Sequence, residues 1–255
     1  MKGLFTHSRE NFGQDQEQLK KRLLDEVKKG GYGQVEQLLR SGISADTADP
    51  ANKNDSALII AASQGDPLIV GLLLTHNANP NQTNDEKVTP LHAAALSYQP
   101  ASVESLLAKK NINPEAKDCE NRTPFFNIAV RNAINMGTKY KIMELLLRRK
   151  IDFHSRPEGQ LAPIHSLALK GDMAALKLIY MASQTFKRPF DLDLNDLNET
   201  LQEPYRKACA IIRSFTETYS SKDGLLSGFF PKNRKIREII GDYSFDSGSE
   251  VSLRF

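Results

Sequence analysis

Apolar residues along this chain fall in short paired blocks, and the blocks repeat. From Gln18 on, Leu19, Leu23, Leu24 and Val27 recur at helical spacing and stop at Gly30-Gly31. A second block, Val35, Leu38 and Leu39, follows at once. The same form returns as Val70-Leu73-Leu74, Val103-Leu106-Leu107, Met143-Leu146-Leu147 and Leu176-Ile179-Tyr180. Ahead of the last four lies a narrower, mostly alanine-containing block: Ser56 to Ala62, Thr89 to Ala95, Thr123 to Ala129, and Ala162 to Ala168. Their starts are 33, 34 and 39 residues apart (89 − 56, 123 − 89, 162 − 123). Each unit thus predicts two helices, with the apolar face of the second packed on the first. Leu91, Ala94 and Ala95 make a narrow face that lets the next unit approach closely. One such pair cannot bury its own apolar face, so the units must stack.

The punctuation agrees with the periodicity. Proline after a threonine opens a helix, because its missing N–H has no partner in the first turn. Gly42 and Asn77 stand where a helix needs a left-handed terminator. Asn79-Pro80-Asn81 then turns the chain outward. The stretch Thr89-Pro90-Leu91-His92-Ala93-Ala94 carries the T-P-L-H-x-A signature of the ankyrin repeat, and the chain resembles that family firmly over Gln18 to Ser183 and weakly to about Phe215. The resemblance implies an all-α fold, an ankyrin-repeat solenoid of stacked helix pairs with β-hairpin fingers. It also implies a non-enzymatic scaffold whose fingers and first helices form a concave groove for a partner protein. Carried over by position, the groove presents Lys53, Asp55, Ser63 and Gln64 from the second repeat, and Asp85, Glu86, Val88, Leu96 and Ser97 from the third. The fourth presents Glu120, Arg122, Val130 and Arg131, and the fifth Glu158, Leu161, Leu169 and Lys170. Leu96, Val130 and Leu169 would form an apolar track, with Arg131 and Lys170 favouring an acidic segment of the partner beside it. The departures are Ser56 for Thr, Ile59 and Phe126 for His, and Tyr98 for Gly.

The chain divides accordingly. Residues 1–17 read as a polar, turn-rich arm, and 18–190 as about five ankyrin repeats. The first of these is an N-terminal cap whose Lys20, Lys21 and Arg22 face water. The fourth repeat carries about six extra residues between its helices, over Asn132 to Lys141, which read either as a functional loop or as an extended helix end with no role. Residues 191–241 read as a degenerate repeat and a C-terminal helical cap, with Pro204 and Pro231 opening helices. Residues 242–255 read as a flexible tail. The irregular insertions and polar tail bear a weaker resemblance to ankyrin effectors of intracellular bacteria, which implies action on host proteins in the host cytosol.

Composition narrows the picture little. The 255 residues carry 34 Lys and Arg against 31 Asp and Glu, a formal net charge of +3 that selects no particular partner. No run approaches the ~18 apolar residues of a membrane span, and the N-terminus lacks the apolar core of a signal peptide. A cytoplasmic protein is expected, without nucleic-acid binding or a cofactor. His92 and His165 occupy the T-P-L-H position, where the family uses the ring to tie loop to helix. His76 sits at a helix end, and His7 and His154 are isolated, with no metal or triad spacing. Cys119 lies between Asp118 and Glu120, which disfavour a thiolate, and Cys209 falls on an apolar helix face. Lys232, Arg234, Lys235 and Arg237 form a small basic cluster on the last helix. The rival function is an enzyme, or a membrane or nucleic-acid contact, carried by 191–255. That region is near the lower limit for an independent core and contains no histidine.

Overall fold

The computed structural model describes residues 4–132, 135–186 and 206–214, with side chains from Asp15 onward. The chain divides into two compact units, Met1–Asn127 and Ile128–Phe255.

The first unit is three stacked helix pairs. They are α1 (Leu4–Lys29) with α2 (Tyr32–Arg40), α3 (Ala57–Gln64) with α4 (Pro67–Thr75), and α5 (Pro90–Leu96) with α6 (Pro100–Leu107). The first helices stack as α1 on α3 on α5, and the second as α2 on α4 on α6. Between the pairs run the fingers. The first of them closes as a two-stranded antiparallel hairpin, β1 (Ala48–Asp49) with β2 (Asp55–Ser56). Helix α7 (Pro124–Val130) follows and contains the boundary between the units.

The caps explain where the helices start. Ser56 does the work of threonine: its hydroxyl accepts from the Ile59 N–H at 3.2 Å. Thr89 does so fully. Its hydroxyl accepts from the His92 N–H, while the His92 ring Nδ1 lies 2.8 Å from the same oxygen and 3.3 Å from the Thr89 nitrogen. The ring's Nε2 is 3.0 Å from the Arg122 carbonyl oxygen, which can only accept. His92 therefore carries its proton on Nε2 and ties the start of α5 to the third finger. Left-handed steps end the helices where expected, at Gly42 (φ 94°) and Asn77 (φ 63°). Tyr98 takes the same step, φ 55°, where Gly65 one unit earlier has φ 79°. The inter-helix turn thus keeps its geometry with tyrosine in place of glycine, at a cost of about 1–2 kcal/mol.

The core of this unit is a ladder of small and branched side chains. Ala57, Ala61, Ala62, Ala94 and Ala95 are completely or almost completely buried, with Leu58, Leu73, Leu91 and Leu106 around them. Alanine there allows the close approach of α3 and α5. Ala94→Leu should accordingly destabilise by ~1–3 kcal/mol through overpacking. Thermal denaturation checks this, and an unchanged melting temperature would remove Ala94 from the inter-repeat contact.

One local expectation changes and one open reading is decided. Residues 1–17 read as a turn-rich arm, yet from Leu4 the backbone is helical and continuous with the cap helix. Single Gly and Asn residues disfavour a helix by only ~1 kcal/mol or less each, too little to stop one that continues from a packed segment. Of the two readings of the fourth repeat's extra residues, a loop or an extended helix end, the structure shows the second over part of the stretch. Helix α8 (Met136–Leu147) begins at Met136, capped by Asn135, whose side chain accepts from the Thr138 N–H. Part of the insertion is therefore an added first turn of α8.

The second unit contains α8, α9 (Pro163–Leu169) and α10 (Met173–Phe186), with α10 packed on both others. Ile142, Met143, Leu146, Ile164, Leu167, Leu176 and Ile179 are fully buried. Residues 206–214 are helical, with Ala208, Ile211 and Ile212 buried as the apolar spacing predicts. Pro204, Pro231, the basic cluster Lys232 to Arg237 and the tail lie outside the described residues.

Candidate functional site: finger tips and inner helix ends

In the first unit the finger tips are linked to one another, one period apart. Lys53, at the tip of the first finger, places its ammonium 2.6 Å from Glu86, and its carbonyl accepts from the Asp85 N–H at 2.9 Å. Asn54 donates to the Asp85 carboxylate at 2.8 Å, and Asn84 to Asp55 at 2.7 Å. The Glu86 carbonyl in turn accepts from the Cys119 N–H at 2.9 Å. Three successive fingers are thus joined by main-chain bonds, and Lys53, Asp55, Asp85 and Glu86 already have side-chain partners.

Asp118 anchors the third finger. Its buried carboxylate accepts from the Glu120 and Arg122 N–H groups, both at 2.9 Å, from Arg122 Nε at 3.0 Å and from Asn127 at 3.4 Å. Burial by itself would raise its pKa, but these bonds outweigh it and hold the carboxyl below its ordinary value. Arg122 also reaches Glu120 at 2.8 Å, so the two expected contact residues of this finger face each other. Asp118 was legible only as a flank of Cys119. Its counterpart one unit earlier is Asn84, whose side chain accepts from the Glu86 and Val88 N–H groups in the same way, and that spacing (118 − 84 = 34) was the available signal.

The remaining expected residues of this unit lie at inner helix ends. Ser63 bonds back to the Ile60 carbonyl, and Gln64 donates to the Lys28 carbonyl at 2.8 Å. Val88 and Leu96 are half-buried, and Ser97 is exposed. Cys119 is an exposed free thiol.

In the second unit Val130, Leu161 and Leu169 are half-buried, while Arg131, Glu158 and Lys170 are exposed. Lys170 is less available than its exposure suggests: its ammonium contacts the Val130 carbonyl and lies 3.2 Å from Asn132 Oδ1. Burial pushes its pKa down, as does the neighbouring Lys139. Behind it lies an ion pair that the sequence reading passed over. Lys139, in the added turn of α8, places its ammonium 2.9 Å from Asp172, with side-chain exposures of only 3% and 6%. Tyr140 donates to the other carboxylate oxygen at 2.8 Å, and that oxygen also accepts from the Ala175 N–H at 3.1 Å, capping α10. Burial and the adjacent carboxylate push the Tyr140 hydroxyl pKa up.

His165 is fully buried like His92, but Ala162 stands in the cap position and supplies no hydroxyl. Burial, with His154 and Arg156 nearby, lowers the pKa of His165 to about 3.

A family model described as ankyrin repeats (3 copies) matches this chain over residues 23–118 and 58–157, together more than half of it. The chain is an ankyrin-repeat protein. Two curated proteins match parts of the array. One is the "Inactive serine/threonine-protein kinase TEX14" of Bos taurus, 37% identical over 79 residues, 31% of this chain and 5% of that protein. The other is the "Ankyrin repeat and MYND domain-containing protein 1" of Mus musculus, 34% identical over 96 residues, 36% of this chain and 10% of that protein. The chain therefore spans a small fraction of the length of either relative. Ankyrin repeats mediate protein–protein interaction and are typically non-enzymatic. Among the described residues of this ankyrin array, no helix is long and apolar enough to cross a membrane.

Proposed function

We propose that this ankyrin array is a non-enzymatic scaffold that binds a partner protein through its finger tips and inner helix ends. The observation that carries this reading is the finger ladder of the first unit. Main-chain bonds from Asp85 to Lys53 and from Cys119 to Glu86 hold three fingers in one fixed spacing. A pre-ordered edge loses little conformational entropy on binding, which is where such surfaces gain affinity. None of the seventeen residues assigned to the groove is buried, although several of the charged ones are engaged with neighbouring fingers or helices. In the first unit the half-buried Leu96, beside exposed Ser97, is the apolar contact. In the second, Val130 and Leu169 take that role, with Arg131 as the available cation for an acidic segment of the partner.

The finer assignment is an effector of an intracellular bacterium acting on host proteins in the cytosol. Its support is sequence-level: the irregular fourth repeat and the polar tail.

The test treats the units separately. Leu96→Ser, and Val130→Ser with Leu169→Ser, are expected to weaken capture of a cytosolic partner by about tenfold each while circular dichroism remains unchanged. Folded variants that capture the partner at wild-type affinity would refute the groove assignment.

A further inference from the structure

The two units differ in charge. Over the described side chains 15–127, twelve lysines and arginines stand against fifteen acidic residues, a net of −3. Over 128–186, nine stand against four, a net of +5, so the cationic character of the array is concentrated in the second unit. The acids of that unit are also partly spent. Asp172 is withdrawn from the surface by Lys139, and Glu144 is paired with Arg148 and lies 3.8 Å from Lys141.

The excess is sharpest where α8 ends. Arg148, Arg149 and Lys150 are consecutive and exposed, and Lys141 lies two turns back on the face of Arg148. Among the described residues, Arg149 and Lys150 form no ion pair. Cations at a helix C-terminus are favoured by the peptide dipole, but that effect is confined to the last turn. It does not account for Lys150. This residue stands in the left-handed region, φ 58°, just past the helix, where α2 and α4 are followed by Gly42 and Asn77. The Lys150 ammonium lies 5.7 Å from the centroid of the half-buried Phe186 ring, which adds an apolar surface beside the charge.

We propose that the C-terminal end of α8, comprising Arg149 and Lys150 with Arg148 and Lys141, is a docking surface for an acidic segment of a partner protein. This surface is separate from the inner helix ends. Guanidinium groups accept carboxylates in a two-point geometry, and the Phe186 ring provides a contact for an apolar side chain between the acids. A patch of four cations suits a short peptide. A nucleic-acid tract recruits on the order of 6–10 phosphate contacts, and stable membrane attachment needs a second anchor beside a basic patch.

The probe is a short fluorescein-labelled peptide of Asp and Glu with interspersed Leu, and the readout is anisotropy with the full chain. The wild type should bind at about 50 mM salt and release the peptide towards about 500 mM. Arg149→Gln with Lys150→Asn should weaken binding about tenfold or more, with the melting temperature held within about 2 °C, since asparagine tolerates the left-handed step. Removing the same charge from the first unit, by Lys20→Gln with Lys21→Gln, should leave affinity within about twofold. Leu96→Ser should also leave it unchanged, so that a failure of the groove assignment is separable from a failure here. Equal binding by the α8 variant would overturn the proposal, as would equal weakening by the Lys20 and Lys21 variant. Sedimentation with phosphatidylcholine vesicles containing about 30% phosphatidylserine, with no binding of the peptide, would overturn it in favour of a membrane.

Discussion

Lys139→Met is expected to destabilise the second unit by about 3–5 kcal/mol, because it leaves a carboxylate buried without its cation. Asp172 keeps the Tyr140 hydroxyl and the Ala175 N–H, but neither carries a charge to balance it. The added turn of α8 would lose its anchor to the start of α10. Its other tether, the contact of Lys170 with Val130 and Asn132, lies on the connection to α7. The diagnostic comparison is the double variant Lys139→Met with Asp172→Asn. Asparagine can still cap α10 and meet Tyr140, and the buried charge is gone. Chemical denaturation should therefore find the double variant more stable than Lys139→Met alone, by about 1–3 kcal/mol. If the single variant unfolds at the wild-type denaturant concentration, the pair contributes nothing and the insertion is held by apolar packing alone.

Acid is the second large lever. His165 is neutral in the folded state down to about pH 3, because burial disfavours its charged form first and His154 and Arg156 repel it further. In the unfolded chain a histidine takes up its proton near pH 6.5. Between those values the unfolded state binds the extra proton, so stability falls as the pH falls through 6.5 towards 3. The span corresponds to a loss on the order of 5 kcal/mol at the acid end. His92 shifts in the same direction, again chiefly through burial, and adds to the loss in the first unit. Asp118 also acts in this sense: its lowered pKa gives stability above its ordinary value that is lost at more acid pH. Melting temperatures measured from pH 7 to pH 4 should fall, and should fall less in His165→Leu. Parallel curves for wild type and variant would show that the ring is not the titrating group.

The same two residues bound what a motif conveys. His92 and His165 occupy equivalent positions, and the sequence assigns both a structural role through the T-P-L-H pattern. The pattern describes His92 completely, because Thr89 is present to complete the cap and the Arg122 carbonyl meets Nε2. At His165 the threonine is Ala162, so the motif's local chemistry is missing and burial dominates. Short-range chemistry is legible when every participant lies within one turn; a single substitution removes it.

What the sequence determined by itself was the set of contacts that recur with the period. Helix pairs, caps at Ser56 and Thr89, terminators at Gly42 and Asn77 and the alanine faces all follow from spacing within one unit, because each is a local hydrogen-bonding or steric requirement. Tertiary structure alone decided which charges meet. Lys53 with Glu86 and Lys139 with Asp172 are each 33 residues apart, one repeat, yet nothing in either neighbourhood marks them as partners. Stacking brings position i beside position i + 33 and makes one of these pairs an exposed contact and the other a buried one. The difference in burial, and with it in energy, arises from the depth at which each turn is packed, which no single repeat encodes.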